Sequence, residues 1–105
     1  MSDPELVKNW KITEALLERA RHALPDAPAH HEQACIALLA RYRGFLEQNE
    51  LELAFDILEE LGLLTSARGG FWRDLERAAE NMGLLDRLPA LQKAFSQAPV
   101  PHKSR

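Results

Sequence analysis

The stretch LELAFDILEELGLL, residues 51 to 64, narrows the possible folds more than any other part of the chain. Apolar side chains recur at Leu51, Ala54, Phe55, Leu58 and Leu61. These steps of three and four suit one side of a helix with about 3.6 residues per turn, and an alternating strand does not produce them. On the same helix Glu52, Asp56, Glu59 and Glu60 fall on the opposite side. An element divided in this way must bury its leucines against other elements, and the remainder of the sequence offers only helices.

Residues 4 to 24 repeat the pattern with Leu6, Trp10, Leu17, Ala20 and Leu24. Ser2 or Asp3 is placed to cap this helix, Pro4 suits its first turn, and Glu5 favours its positive end. PDAPA ends it, because two prolines cannot continue a helix. A second helix over residues 30 to 48 turns Cys35, Leu38, Leu39, Tyr42, Phe45 and Leu46 inward. Gly44 inside it costs about 1 kcal/mol relative to alanine, which a close helix crossing would explain. The third helix is expected to start at Asn49, where NELE resembles a capping box, and to end at Gly62 in a left-handed cap. TSARGG reads as a loop. Phe71, Trp72, Leu75, Ala78, Ala79 and Met82 then mark a fourth helix. A fifth begins near Asp86, with Pro89 in its first turn and Leu88, Leu91 and Phe95 on its apolar side. The expected fold is all-α, a compact bundle of four to five helices with short loops. Residues 1–97 form a single helical domain in this reading, and residues 98–105 form a flexible C-terminal tail.

The net charge of -3 over 105 residues argues against general nucleic-acid binding, which needs a basic footprint. Cys35 is the only cysteine, so an internal disulfide is impossible and a reducing compartment fits. The first ten residues lack a basic start followed by an apolar run, and no stretch is apolar enough to span a membrane. The expectation is a cytoplasmic protein with neither a nucleic-acid nor a membrane partner.

Residues able to carry chemistry are few. His31 and Cys35 lie four apart on one helix face, yet a nucleophilic cysteine needs an electropositive, partly exposed setting. Cys35 shares its stripe with Leu38, Leu39 and Tyr42, so it reads as a buried apolar residue. As metal ligands His31 and Cys35 make only two, where a structural zinc needs four; His30 and Glu32 point elsewhere. ARGGFW has glycines before a helix, the general shape of an anion site, but lacks a Walker pattern and a preceding strand. No catalytic residue, metal ligand or cofactor is expected. Phe71 and Trp72 begin the stripe of the fourth helix and fit a core better than a ligand platform. Trp72, if partly exposed at the end of the bundle, is nonetheless a candidate partner anchor.

The unusual feature is charge. Glu47, Glu50, Glu52, Asp56, Glu59 and Glu60 follow one another without a lysine or arginine among them. A solvated helix face would look like this, and so would a surface that steers a basic partner. The six carboxylates and Trp72 are therefore the candidate partner-binding residues.

YRGFLEQNELELAFDILEELG, followed after a short loop by FWRDLERAAENMGL, resembles small helical immunity proteins of bacterial polymorphic-toxin systems. The resemblance is to the MafI-like and contact-dependent-inhibition immunity type. It rests on an aromatic followed by a leucine-glutamate step, on Asn49 and Glu50, and on Leu53, Ala54 and Leu58, and it covers residues 42 to 84. Gln48 stands where many relatives would have histidine. The resemblance implies a cytoplasmic protein that binds and neutralises a cognate toxin, such as a nuclease whose basic surface suits an acidic inhibitor. The alternative from another class is a small helical interaction or dimerisation module with no toxin partner. Monomer and homodimer both remain open.

Overall fold

Five α-helices build the chain in the computed structural model, which describes the backbone of residues 4–98 and side chains from residue 9 onward. They are α1 (Pro4–His22), α2 (Glu32–Glu47), α3 (Leu51–Thr65), α4 (Gly69–Met82) and α5 (Leu88–Gln97), with short 3-10 turns at Ala29–His31 and Leu85–Arg87. No strand occurs among the described residues, so the fold is the all-α bundle its periodicity requires. The expected cap at Ser2 or Asp3 and nearly all of the expected tail lie outside the described residues. No described helix is long and apolar enough to cross a membrane.

Two helix pairs organise the packing. α1 lies chiefly against α4 and α2 against α3, while α3 also touches α1 and α4, and α5 packs on α4. α3 is thus an inner element. Ala54, Phe55 and Leu58 are wholly buried on it, with Leu51, Ile57 and Leu61 nearly so. Leu17 from α1, Tyr42 from α2, and Phe71, Leu75 and Ala78 from α4 complete the centre, and Leu91 attaches α5. Burying each of the large apolar α3 side chains stabilises the fold by on the order of 2 kcal/mol. Polar groups drawn inside are partnered. Asn81 Nδ2 donates to Thr13 Oγ1 at 2.7 Å, tying α4 to α1, and Thr65 Oγ1 donates to the Leu61 carbonyl at 2.8 Å.

The turns depart from the sequence reading, each for a local reason. Asn49 does not cap α3. It adopts φ 59°, and the Glu50 amide donates to the Phe45 carbonyl at 2.9 Å. This is a left-handed termination of α2, which asparagine tolerates better than most residues. Nor does Gly62 end α3. The helix continues to Thr65, Ser66 takes the left-handed position at φ 54°, and the Ala67 amide donates to the Gly62 carbonyl at 2.9 Å.

Gly62 has a different task. A methyl group there would stand 2.3 Å from the Phe71 ring and 2.9 Å from Trp72, so its missing side chain is what lets α4 approach α3. The close crossing expected at Gly44 is absent, since nothing lies within 4 Å of a Cβ added there. Gly83, at φ 77°, does end α4, with the Leu84 amide donating to the Ala79 carbonyl at 2.8 Å.

Candidate functional site

The six carboxylates run from the end of α2 through the turn and along α3, and the fold divides them. Asp56 and Glu59, one turn apart on α3, face the 3-10 turn after α4. Arg87 from that turn donates one Nη2 to both, at 2.7 Å to Asp56 Oδ1 and 2.6 Å to Glu59 Oε1. Its guanidinium also lies over the Phe55 ring, 4.9 Å from the centroid. Burial works against the charge on Arg87, but hydrogen bonds to Asp56 and Glu59 outweigh it and raise its pKa above the ordinary arginine value. The expectation of an unneutralised acidic face is therefore corrected at Asp56 and Glu59, which are half-buried and tied to the fold. The base that neutralises them comes from 28 and 31 positions away, beyond the reach of helical spacing.

Glu47, Glu50, Glu52 and Glu60 behave otherwise. All four are exposed, and none has an ion-pair partner within 4 Å among the described residues. Glu47, Glu50 and Glu52 surround the α2–α3 corner, and Glu60 stands two turns further along α3.

Two hollows adjoin this corner. A cleft of about 410 Å³ separates α1 from α2 and is lined by Glu14, Glu18, Arg21, His22, Arg43, Leu46 and Glu47. Beside it the buried Tyr42 hydroxyl donates to Glu18 Oε2 at 2.6 Å. Burial and then the adjacent Glu18 carboxylate push the Tyr42 pKa far up, so this phenol stays protonated. A second groove, of about 240 Å³, lies where the N-terminal turns of α3 meet α1 and the end of α4. Trp10, Asn49, Glu52, Asn81, Met82 and Leu84 are on its walls. Trp10 continues the α1 stripe beyond the covered core and remains 46% exposed.

Trp72 is not a surface anchor. It is 3% exposed, its indole N–H donates to the Ala67 carbonyl at 3.2 Å, and its ring meets Phe71 edge-on at 4.9 Å between centroids. Cys35 is buried, as its stripe requires. His31 lies in the 3-10 turn before α2, outside the helix that was to align it with Cys35. Among the described residues no group of three His, Cys, Asp or Glu side chains is arranged to hold a metal ion. Gly69 of the ARGG segment gives room to another ring, since a Cβ there would meet Phe95 at 2.8 Å. The corner therefore offers carboxylate acceptors, an exposed indole and side-chain amides, groups suited to holding a cation.

Trp10 and Arg87 also belong to this region, with no signal in the sequence that brings them to it. The period of α1 placed Trp10 inside but could not show that the neighbouring helices end before covering it. Comparison with known proteins finds no matching family model, no matching curated protein and no matching solved structure.

Proposed function

We propose that this chain is a cytoplasmic binding protein of the immunity type, which neutralises a cognate toxin domain by occupying a basic surface on it. The observation carrying this reading is that Glu47, Glu50, Glu52 and Glu60 remain exposed and without ion pairs among the described residues, in a fold that does supply Arg87 to Asp56 and Glu59. Exposed like charges on neighbouring turns cost a few tenths of a kcal/mol per pair, a small penalty that a steering role would offset. In this proposal the protein contributes shape and charge, with no catalytic group and no cofactor.

The test begins with capture of the bound protein from the native cell. Stopped-flow association is then measured across a salt series for wild type and for Glu47, Glu50 and Glu52 all changed to lysine. Steered association predicts that the wild-type on-rate falls as salt rises and that the variant is slower by about tenfold at low salt. Equal on-rates with a flat salt response would reduce these carboxylates to solvated surface.

A second reading, a dimerisation module without a toxin partner, draws on other residues. Leu63 is 65% exposed on α3 and Leu85 is 61% exposed before α5, large apolar groups that a second copy would cover. Sedimentation that gives a concentration-dependent dimer, lost in Leu63→Gln, would favour this reading over the first.

A further inference from the structure

We infer that the groove between α1, α3 and α4 is an arginine pocket, the point at which a basic partner inserts one guanidinium group. The inference rests on the basic-partner reading above and names the chemistry of the anchor. Three features of the groove converge on it. Trp10 presents an exposed aromatic surface, and guanidinium stacks on indole more favourably than on other rings. Glu52 lines the same groove, is exposed, and has no ion pair among the described residues. Asn49 and Asn81 add amide groups. Asn81 Nδ2 is already engaged with Thr13 Oγ1 at 2.7 Å and the Asn9 carbonyl at 3.1 Å, so the acceptor Oδ1 is the atom it has left to offer.

The molecule already contains a guanidinium held in this way. Arg87 lies over Phe55 and between Asp56 and Glu59, on the flank of α3 directly following Glu52. Glu52 is one helical turn before Asp56, and Trp10 of α1 lines the same groove as Glu52, so an aromatic and a carboxylate meet there as well. The internal site is filled by the chain's own arginine. The groove one turn away has an aromatic and a carboxylate too, and no lysine or arginine is among the described residues that line it. Met82 and Leu84 give it an apolar wall suited to the methylenes of an arginine stem. Lysine, a compact charge without a planar face, would use the carboxylate but gain less from the indole.

The experiment titrates the full chain with blocked tri-arginine and tri-lysine peptides, following its two indole N–H resonances by NMR. Trp72 is buried and bonded to the Ala67 carbonyl, so its resonance is an internal control. The expected result is a saturable shift of the Trp10 resonance alone, with arginine binding about threefold or more tighter than lysine. Glu52→Gln should weaken the arginine response by a similar factor, while Glu60→Gln leaves it unchanged. Equal shifts from both peptides, or no effect of Glu52→Gln, would overturn the pocket. If both peptides instead perturb only the backbone amides of Glu47, Glu50 and Glu60, the pocket fails and the wider acidic surface survives. No perturbation by either peptide at any position would overturn both.

Discussion

The outer and inner halves of one acidic run are built on opposite terms. From Gly44 to Glu52 the chain turns a corner with Leu51 buried beneath it, its carboxylates exposed and nothing within 4 Å of a Cβ added at its glycine. From Asp56 to Gly62 it runs between other elements, with two of its three acids bound by Arg87, only Glu60 left exposed, and a glycine beneath the Phe71 ring. In sequence the halves look alike, a glycine and several glutamates among leucines. The difference shows that a charge count along a chain is not a surface potential, because a base from a distant turn can remove part of it.

Four variants sharpen or break this contrast. Gly62→Ala should be the most damaging, about 3 kcal/mol, since overpacking here meets two buried aromatic rings. Chemical denaturation measures it, and an unchanged midpoint would mean that α3 and α4 do not approach as described. Arg87→Met should cost about 1–2 kcal/mol, leaving Asp56 and Glu59 facing each other half-buried; the figure allows for solvent screening of groups that remain partly exposed. The same denaturation series in high salt should recover part of that loss by weakening the repulsion.

Gly44→Ala should act in the opposite sense. With no neighbour to strike, the added methyl should stabilise α2 by about 0.5–1 kcal/mol through helix propensity, seen as a higher thermal midpoint. Destabilisation there would place the outer half in contact with something. The smallest effect on folding belongs to Glu47, Glu50 and Glu52 changed together to lysine, within about 0.5 kcal/mol of wild type. A larger loss by circular dichroism melting would show that the corner carboxylates hold the fold as Asp56 and Glu59 do.

Residues whose neighbours in sequence are also their neighbours in space are legible in the sequence. Leu51, Ala54, Phe55, Leu58 and Leu61 form the α3 stripe, Cys35 lies inside on α2, and Pro25 and Pro28 follow the end of α1. Glycines and aromatics were harder, because what they do depends on what lies opposite. Gly62 looked like a cap and proved to be a contact. Trp72 lies on the α4 stripe and is core, without the exposure that the anchor role needs, while Trp10 lies on the α1 stripe and is half exposed. Of the candidate surface, the carboxylates were visible in sequence, but their division into bound and unbound groups was not.

By itself the amino-acid sequence determined that this protein is helical, where its apolar stripes run, and that its negative charge gathers around α3. Those properties follow from spacing within one turn or two, which the chain enforces locally. Only the tertiary structure decided which acids acquire Arg87, which glycine yields to a ring, and which tryptophan stays in water. Each of these depends on a side chain from another helix arriving within a few ångströms, and that distance is set by how whole helices cross, not by any residue read alone.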